Sequence, residues 1–285
     1  MSALSFEKWE GLGNDFVVIE ASSDEAITPE EARALCDRHR GIGGDGVLLV
    51  IGGATPRMVV LNADGSRPEM CGNGLRCVAA FLADRTGAEG MSMLIATDAG
   101  DKPCAIERRG EGLYDVTVDM GRATMGPRLV VEAEGRTHGF TTVDVGNPHA
   151  ITFEPYAEAE IDRVGPTVAT APAGGINVEF CRVLEEGARA RIAVTVWERG
   201  VGRTLACGTG ACAVAAAACE AGVARRGAPI EVFLPGGPLE ITVDEARALQ
   251  MKGPARRVFR GTWETSFDLG PGRGTPTSWA RETTP

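Results

Sequence analysis

One ten-residue stretch occurs twice in this chain with little change. Residues 71–80 read CGNGLRCVAA and residues 207–216 read CGTGACAVAA, an offset of 136. Upstream at that same offset, MVVLNADG at 58–65 falls on VTVWERGV at 194–201, and Arg67 falls on Arg203. Near an offset of 133, GNDFVVIE at 13–20 parallels GNPHAITFE at 146–154, each a Gly-Asn turn feeding a β-rich run. Three features in one order at a nearly constant spacing mark an internal duplication, which sets the fold before any single element is considered. It predicts two similar domains related by a pseudo-twofold axis.

Between the repeats lie short β-branched, apolar runs bounded by Gly, Pro, Asn or Asp, the pattern of strands. Examples are Val47–Ile51, Met58–Leu61, Tyr114–Val118, Thr142–Val145, Arg191–Trp197 and Ile230–Leu234. Helices are predicted over about 73–85 and 209–221, the second closing on Gly222. Both are apolar nearly all the way round, which marks a helix enclosed by other elements. The fold class is therefore α+β, with each domain a β-barrel-like sheet wrapped around a central helix. The expected N-terminal domain is 1–120, completed by a returning strand near 256–268; the C-terminal domain is 121–255. Residues 269–285, rich in Gly, Pro and Thr, are expected to be a flexible tail.

Composition removes several classes of function. The formal charge is −10 and basic residues cluster only in pairs such as Arg225-Arg226, so nucleic acid is not an expected partner. No run approaches 18 apolar residues and the N-terminus lacks the basic and apolar pattern of a secretory signal, so a cytoplasmic chain without membrane spans is expected. Three lysines, Lys8, Lys102 and Lys252, count against a pyridoxal-phosphate enzyme, which needs one for its Schiff base. Eight cysteines without a C-x-x-C pair, and three histidines, do not form a zinc pattern, so no metal is expected. Cys36, Cys77, Cys104, Cys181, Cys212 and Cys219 lie among apolar neighbours and are expected to be small core residues.

Cys71 and Cys207 are different. Each stands at the entrance of a predicted buried helix, among glycines that let the backbone turn sharply and approach a ligand. The leading N–H groups and the positive end of the helix dipole make such a position a carboxylate seat. They also favour thiolate, lowering a thiol from its usual value of about 8.5. Two such seats holding one carboxylate would put a sulfur on either face of the neighbouring carbon. One sulfur could then remove a proton while the other returns one, inverting that carbon. A redox-sensing thiol pair is the competing reading from another class.

At these residues the chain resembles the diaminopimelate epimerases of the cofactor-independent, two-cysteine type. The stretches that carry the resemblance are GLGNDFVVIE, GIGGDGVLLV, LNADGSRPEMCGNGLRC, VGNPHAI, GINVEF and WERGVGRTLACGTGACA, with GPARRVFRG at 253–261. Two departures are Trp9-Glu10, where smaller or Met-like residues are usual, and the tail beyond about 268. The resemblance implies interconversion of LL- and meso-diaminopimelate, on the route to lysine and the bacterial cell wall, without a cofactor. It implies Cys71 and Cys207 as the acid/base pair, with Gly72, Asn73, Gly208 and Thr209 supplying amides to the reacting carboxylate. Asn14, Asn62, Asn147, Asn177, Glu198 and Arg199 match substrate-contacting positions, and His149 with Glu198 match positions that tune the thiols. A homodimer is one assembly consistent with this; the sequence leaves the oligomeric state open. Proline racemase-type enzymes and phenazine-type isomerases share the architecture. The Glu198-Arg199 pair favours a substrate with a distal ammonium and carboxylate over a small cyclic one. Asn62 corresponds to Glu198 at the repeat offset, so the copies diverge where the substrate is asymmetric. Capping is the default role of Asp15, Asp45 and Asp64 beside glycine turns; His39 and His138 carry no assigned role.

Overall fold

Helix α2 (Gly72–Thr86) is buried from Gly72 through Ala83 and ends on Gly87 in the left-handed conformation, φ 68°. It is apolar on every side because strands surround it. In a computed structural model that describes residues 2–265, it packs against β1 (Ser2–Gly11), β2 (Asn14–Ala21), β3 (Gly46–Ile51), β4 (Arg57–Asn62), β5 (Gly90–Thr97) and β6 (Gly100–Gly110). The proposed flexible tail lies outside the described residues. The chain divides into two compact units. The first is the chain up to Val118 and from Gly253 on; the second is Asp119–Lys252.

In the first unit, β1 pairs antiparallel with β2, β2 parallel with β3, β3 antiparallel with β4, β4 parallel with β5, and β5 antiparallel with β6. β6 pairs antiparallel with β7 (Leu113–Arg122). The ring closes through β17 (Ala248–Thr265), which pairs with both β1 and β7. A short helix α1 (Pro29–Cys36) makes the crossover between the parallel strands β2 and β3, and α2 makes the one between β4 and β5.

The second unit repeats this order. After β8 (Thr124–Met125) and β9 (Leu129–Ala133), β10 (Arg136–Asp144) pairs antiparallel with β11 (Pro148–Thr152), and β11 parallel with β12 (Asn177–Glu185). β12 pairs antiparallel with β13 (Arg191–Glu198), β13 parallel with β15 (Pro229–Leu234), and β15 antiparallel with β16 (Gly237–Val243). β16 in turn pairs antiparallel with β17. The minor strand β14 (Gly202–Arg203) pairs with β13. Helix α3 (Glu158–Thr170) crosses from β11 to β12, and α4 (Gly208–Glu220) from β13 to β15. Every orientation and both crossover helices match the first unit, so the duplication seen in sequence extends through the whole topology. α4 packs against β10, β11, β12, β15 and β16 and is followed by Gly222 at φ 75°. Its alanines favour the helix and let strands approach closely.

Trp9, one of the departures from the family pattern, is fully buried. Its ring meets Phe81 edge-on at 6.5 Å and Tyr114 at 6.2 Å, and its indole N–H donates to Glu7 at 2.8 Å. The larger side chain therefore fills core volume between β1, α2 and β7, with its polar atom satisfied. No helix among the described residues is long and apolar enough to cross a membrane.

Candidate active site

Cysteine is not a usual N-cap; Ser, Thr, Asp and Asn dominate that position because their oxygens accept from the open amides of the first turn. Here two cysteines take it. Cys71 caps α2 and accepts from the Gly74 N–H at 3.4 Å. Cys207 caps α4 and accepts from the Gly210 N–H at 3.3 Å. Gly72 and Asn73, and Gly208 and Thr209, are the residues whose amides lead each helix. The two glycines behind the sulfurs have steric reasons. A Cβ on Gly74 would stand 2.9 Å from Leu48 Cδ2, and one on Gly210 would stand 2.7 Å from Glu179 Oε1 and 3.2 Å from the Cys207 sulfur.

Around Cys71, Asn73 Nδ2 donates to Asn14 Oδ1 at 3.1 Å, and Asn14 Nδ2 donates to Asp45 at 2.7 Å. Asp45 also accepts from the Asp15 N–H and from Arg38. Asp15 pairs with the buried Lys8 at 2.7 Å and with Arg38 at 2.6 Å. Burial works against its charge, yet the hydrogen bonds from Arg38 and Lys8 hold its carboxyl down at about 2. Lys8 also donates to the Gly43 carbonyl. Asn62, at the end of β4, donates to Ser66 at 2.9 Å, and Asp64 accepts from the same serine. Asp15 and Asp45 thus do more than cap turns: they bind the GLGND and GIGGDG loops to each other.

Around Cys207, the structure brings together His149, Glu179 and Glu198. His149 and Glu179 are fully buried, with Nδ1 2.7 Å from Glu179 Oε1. The other ring nitrogen of His149 lies 3.1 Å from Asn147 Oδ1. Thr209 Oγ1 is 3.6 Å from the Cys207 sulfur. Glu198 accepts from Thr204 at 2.6 Å, and burial pushes its carboxyl up. Asn177 accepts from the Arg199 N–H at 2.9 Å, while the Arg199 guanidinium donates to the Gly174 carbonyl at 2.6 Å. Arg199 therefore rests on the 172–175 turn rather than beside Glu198's carboxylate. Cys207 corrects one expectation. Burial first, then the charges of Glu198 and Glu179, push its thiol well above the ordinary value; the contacts from Thr209 and Gly210 pull the other way and lose.

Of the six cysteines assigned to the core, Cys36, Cys77, Cys104, Cys181 and Cys212 are buried and Cys219 is half-buried. His138 is a satisfied structural histidine, 2.6 Å from the Tyr156 hydroxyl and 3.0 Å from the Ala133 carbonyl. Glu179 was missed by sequence reasoning. Its only signal is an acidic residue in the otherwise apolar VEFC run at 178–181.

A model of the diaminopimelate epimerase family matches residues 6–126 and 141–258, taking in both cysteine turns. The chain belongs to the diaminopimelate epimerase family. It is therefore an isomerase by family. Among its relatives, the diaminopimelate epimerase of Synechocystis sp. is 42% identical over 92% of this chain and 99% of its own length. The chloroplastic diaminopimelate epimerase of Oryza sativa subsp. japonica is 41% identical over 91% of this chain and 80% of its own. Among solved structures, a predicted epimerase of Pseudomonas aeruginosa superposes with a TM-score of 0.71 at 18% identity, covering 92% of this chain and 100% of its own. A hydroxyproline epimerase of Agrobacterium vitis gives 0.64 at 16% identity, covering 95% and 94%. These distant likenesses show the shared fold.

Proposed function

We propose that this chain interconverts LL- and meso-2,6-diaminopimelate without a cofactor, by proton transfer at one α-carbon between two cysteines, Cys71 and Cys207. The observation that carries the reading is the pair of cysteine N-caps on equivalent buried helices of a duplicated fold. Cysteine has no capping advantage to explain its presence there twice. The names of the relatives supply the substrate. The reaction belongs to the route to lysine and peptidoglycan precursors, in the cytoplasm.

In this scheme one sulfur, as thiolate, takes the α-proton and the other, as thiol, delivers a proton to the opposite face. The carbanion-like transition state places extra negative charge on the neighbouring carboxylate. The leading amides of α2 and α4, at Gly72, Asn73, Gly208 and Thr209, stabilise that charge without having to reorganise. For the isomer whose α-proton faces Cys71, Cys207 is the proton donor, which the burial and neighbouring carboxylates that favour its thiol form support; the other isomer requires the opposite protonation states. Asn14, Asn62, Asn147 and Asn177 bind the substrate's polar groups. Glu198 takes the distal ammonium, and Arg199 exchanges the Gly174 carbonyl for the distal carboxylate. Leaving those two groups without partners penalises shorter amino acids.

The test is incubation of reduced protein with LL-diaminopimelate in D2O. One deuterium is expected at one α-carbon as the meso isomer forms, and Cys71→Ala or Cys207→Ala is expected to abolish epimerisation. No exchange by the reduced wild-type protein would sink the reading. Full activity in either single variant would refute the two-base scheme.

A further inference from the structure

A carboxylate is costly to bury, and costlier when one of its oxygens meets no donor. Glu179 is fully buried and its Oε2 has no hydrogen-bond partner among the described residues. Nothing in the packing of β12 asks for an acid there: the residues that share its face of the strand, Asn177 and Cys181, are buried and uncharged side chains. Its other oxygen does two things. Oε1 lies 2.7 Å from His149 Nδ1, across the parallel β11–β12 pair. It also lies where a Gly210 Cβ would come within 2.7 Å, and that same Cβ would stand 3.2 Å from the Cys207 sulfur. The carboxylate thus sits directly beneath the first turn of α4, with only a glycine allowed above it.

Proton bookkeeping sharpens this. His149 has an oxygen at each ring nitrogen, Glu179 Oε1 at Nδ1 and Asn147 Oδ1 at Nε2. A neutral imidazole has one N–H, so only one of these contacts can be a donated bond unless the ring is charged or the amide is turned. The stronger partner, a carboxylate at the shorter distance, fixes the proton on Nδ1.

We propose that Glu179 is a positioning residue for the reaction: it fixes His149 with a proton on Nδ1 and sets, from beneath α4, the charge against which the Cys207 thiol ionises. The groups that bear on this sulfur among the described residues are Glu198 from β13, Glu179 from β12 and Thr209 on α4 itself. His149 on β11 acts on Glu198, and Cys181 on β12 feels Glu179 in turn. Glu179 does not touch substrate. It acts through His149 and Cys207. The inference rests on Cys207 being one of the two bases, as proposed above.

Two substrate-free measurements test it. In the wild-type protein, 15N NMR of the histidine rings is expected to show the proton of the neutral His149 ring on Nδ1; only His39 and His138 need be distinguished from it. An unprotonated Nδ1 in that neutral ring would overturn the proposal whether or not any variant folds. In Glu179→Gln, the pH of half-maximal Cys207 alkylation, followed by peptide mass spectrometry, is expected to fall by about one unit, a tenfold change in the thiol equilibrium. Glu179→Asp is expected to keep the wild-type midpoint. With diaminopimelate, kcat of Glu179→Gln is expected to fall on the order of 100-fold with KM within about twofold, Glu179→Asp recovering part of it. A Cys207 profile in Glu179→Gln that superimposes on wild type would refute the proposal even if the wild type epimerises. A wild type that fails to exchange its substrate's α-proton would sink the functional reading, while the NMR and alkylation results would still judge Glu179.

Discussion

Arg67 and Arg203 hold the two cysteine loops in the same way. Each stands four residues before its cysteine and spreads its guanidinium over two acids. Arg67 donates to Asp98 at 2.7 Å and Asp24 at 2.8 Å, and Arg203 to Asp162 at 2.6 Å and Glu158 at 2.5 Å. In the second unit both anchors belong to α3; in the first they flank α1 and β5. The duplication has thus kept the function of the clasp while changing the elements that supply its acids.

The arginines of these clasps are about one-third exposed and Glu158 is largely exposed, so each clasp is expected to add about 1 kcal/mol or less to global stability. Their effect should appear locally. Arg67→Ala and Arg203→Ala are expected to lower epimerase kcat by roughly three- to tenfold while the melting temperature falls by only a few degrees. Hydrogen exchange should speed up in the loops 62–71 and 198–207 and nowhere else. A large fall in melting temperature with unchanged kcat would assign the clasps to stability alone.

The two first-turn glycines, Gly74 and Gly210, should separate when substituted. In Gly74→Ala the new methyl meets Leu48 Cδ2 at 2.9 Å, the end of a flexible side chain in a packed core. Overpacking of this kind costs about 1–3 kcal/mol, and activity should survive in proportion to folded protein. In Gly210→Ala the methyl meets the buried Glu179 carboxylate and the Cys207 sulfur instead. That variant is expected to lose activity on the order of 100-fold or more, beyond its loss of stability. Urea titrations and kinetics on both proteins check the contrast; equal losses of activity per unit of stability would contradict it.

How much of this was legible in the sequence varies with the physics of each element. The central helices α2 and α4 declared themselves by apolarity on every side, and the repeat aligned the strands around them. α1 and α3 were not anticipated. α1 spans only eight residues, about two turns and too short for a clear helical period, although Thr28 and Glu31 form a capping box at its start. α3 contains Pro166, which reads as a break, yet the helix continues through it. At the site, Cys71 and Cys207 were visible because the same turn occurs twice. Glu179 was not, because a lone acid in a strand looks solvent-facing until its partner, His149, is placed on the neighbouring strand. The Cys207 thiol ran against the helix-terminus rule for the same reason. Of the two opposing carboxylates, Glu198 lies only nine residues before Cys207, whereas Glu179 comes from β12, remote in sequence from α4.

Lys8 and Asp15 give an acid-sensitive joint beneath the GLGND loop. The Asp15 carboxyl is held near 2, below its ordinary value of 3.8. A depressed folded value means that the ionised form stabilises the fold above about pH 4. That contribution should be lost as the pH falls from 4 through 2. In Asp15→Asn the Lys8 ammonium, only 6% exposed, loses its buried partner. The variant is expected to be less stable by about 3 kcal/mol at neutral pH and to show a flatter dependence on pH between 4 and 2. Urea unfolding at a series of pH values measures both; an Asp15→Asn protein as stable as wild type at pH 7 would refute the pairing.

The two cysteines, alike in their caps, should differ in reactivity. Cys71 is half-buried, whereas Cys207 is 7% exposed and its thiol is held protonated by burial and by Glu198 and Glu179. Alkylating agents require both access and thiolate. In reduced protein at pH 7.5 to 8, iodoacetamide is therefore expected to modify Cys71 at least about tenfold faster than Cys207. Cys104, pushed up to about 12 by burial, and Cys36, pushed up to about 11, should stay unmodified over the same time. Time-resolved peptide mass spectrometry gives each rate separately. Loss of epimerase activity should track modification of Cys71 from the first minutes. If activity instead followed Cys207, or if both cysteines reacted at one rate, the resting protonation states assigned to the two bases would be wrong.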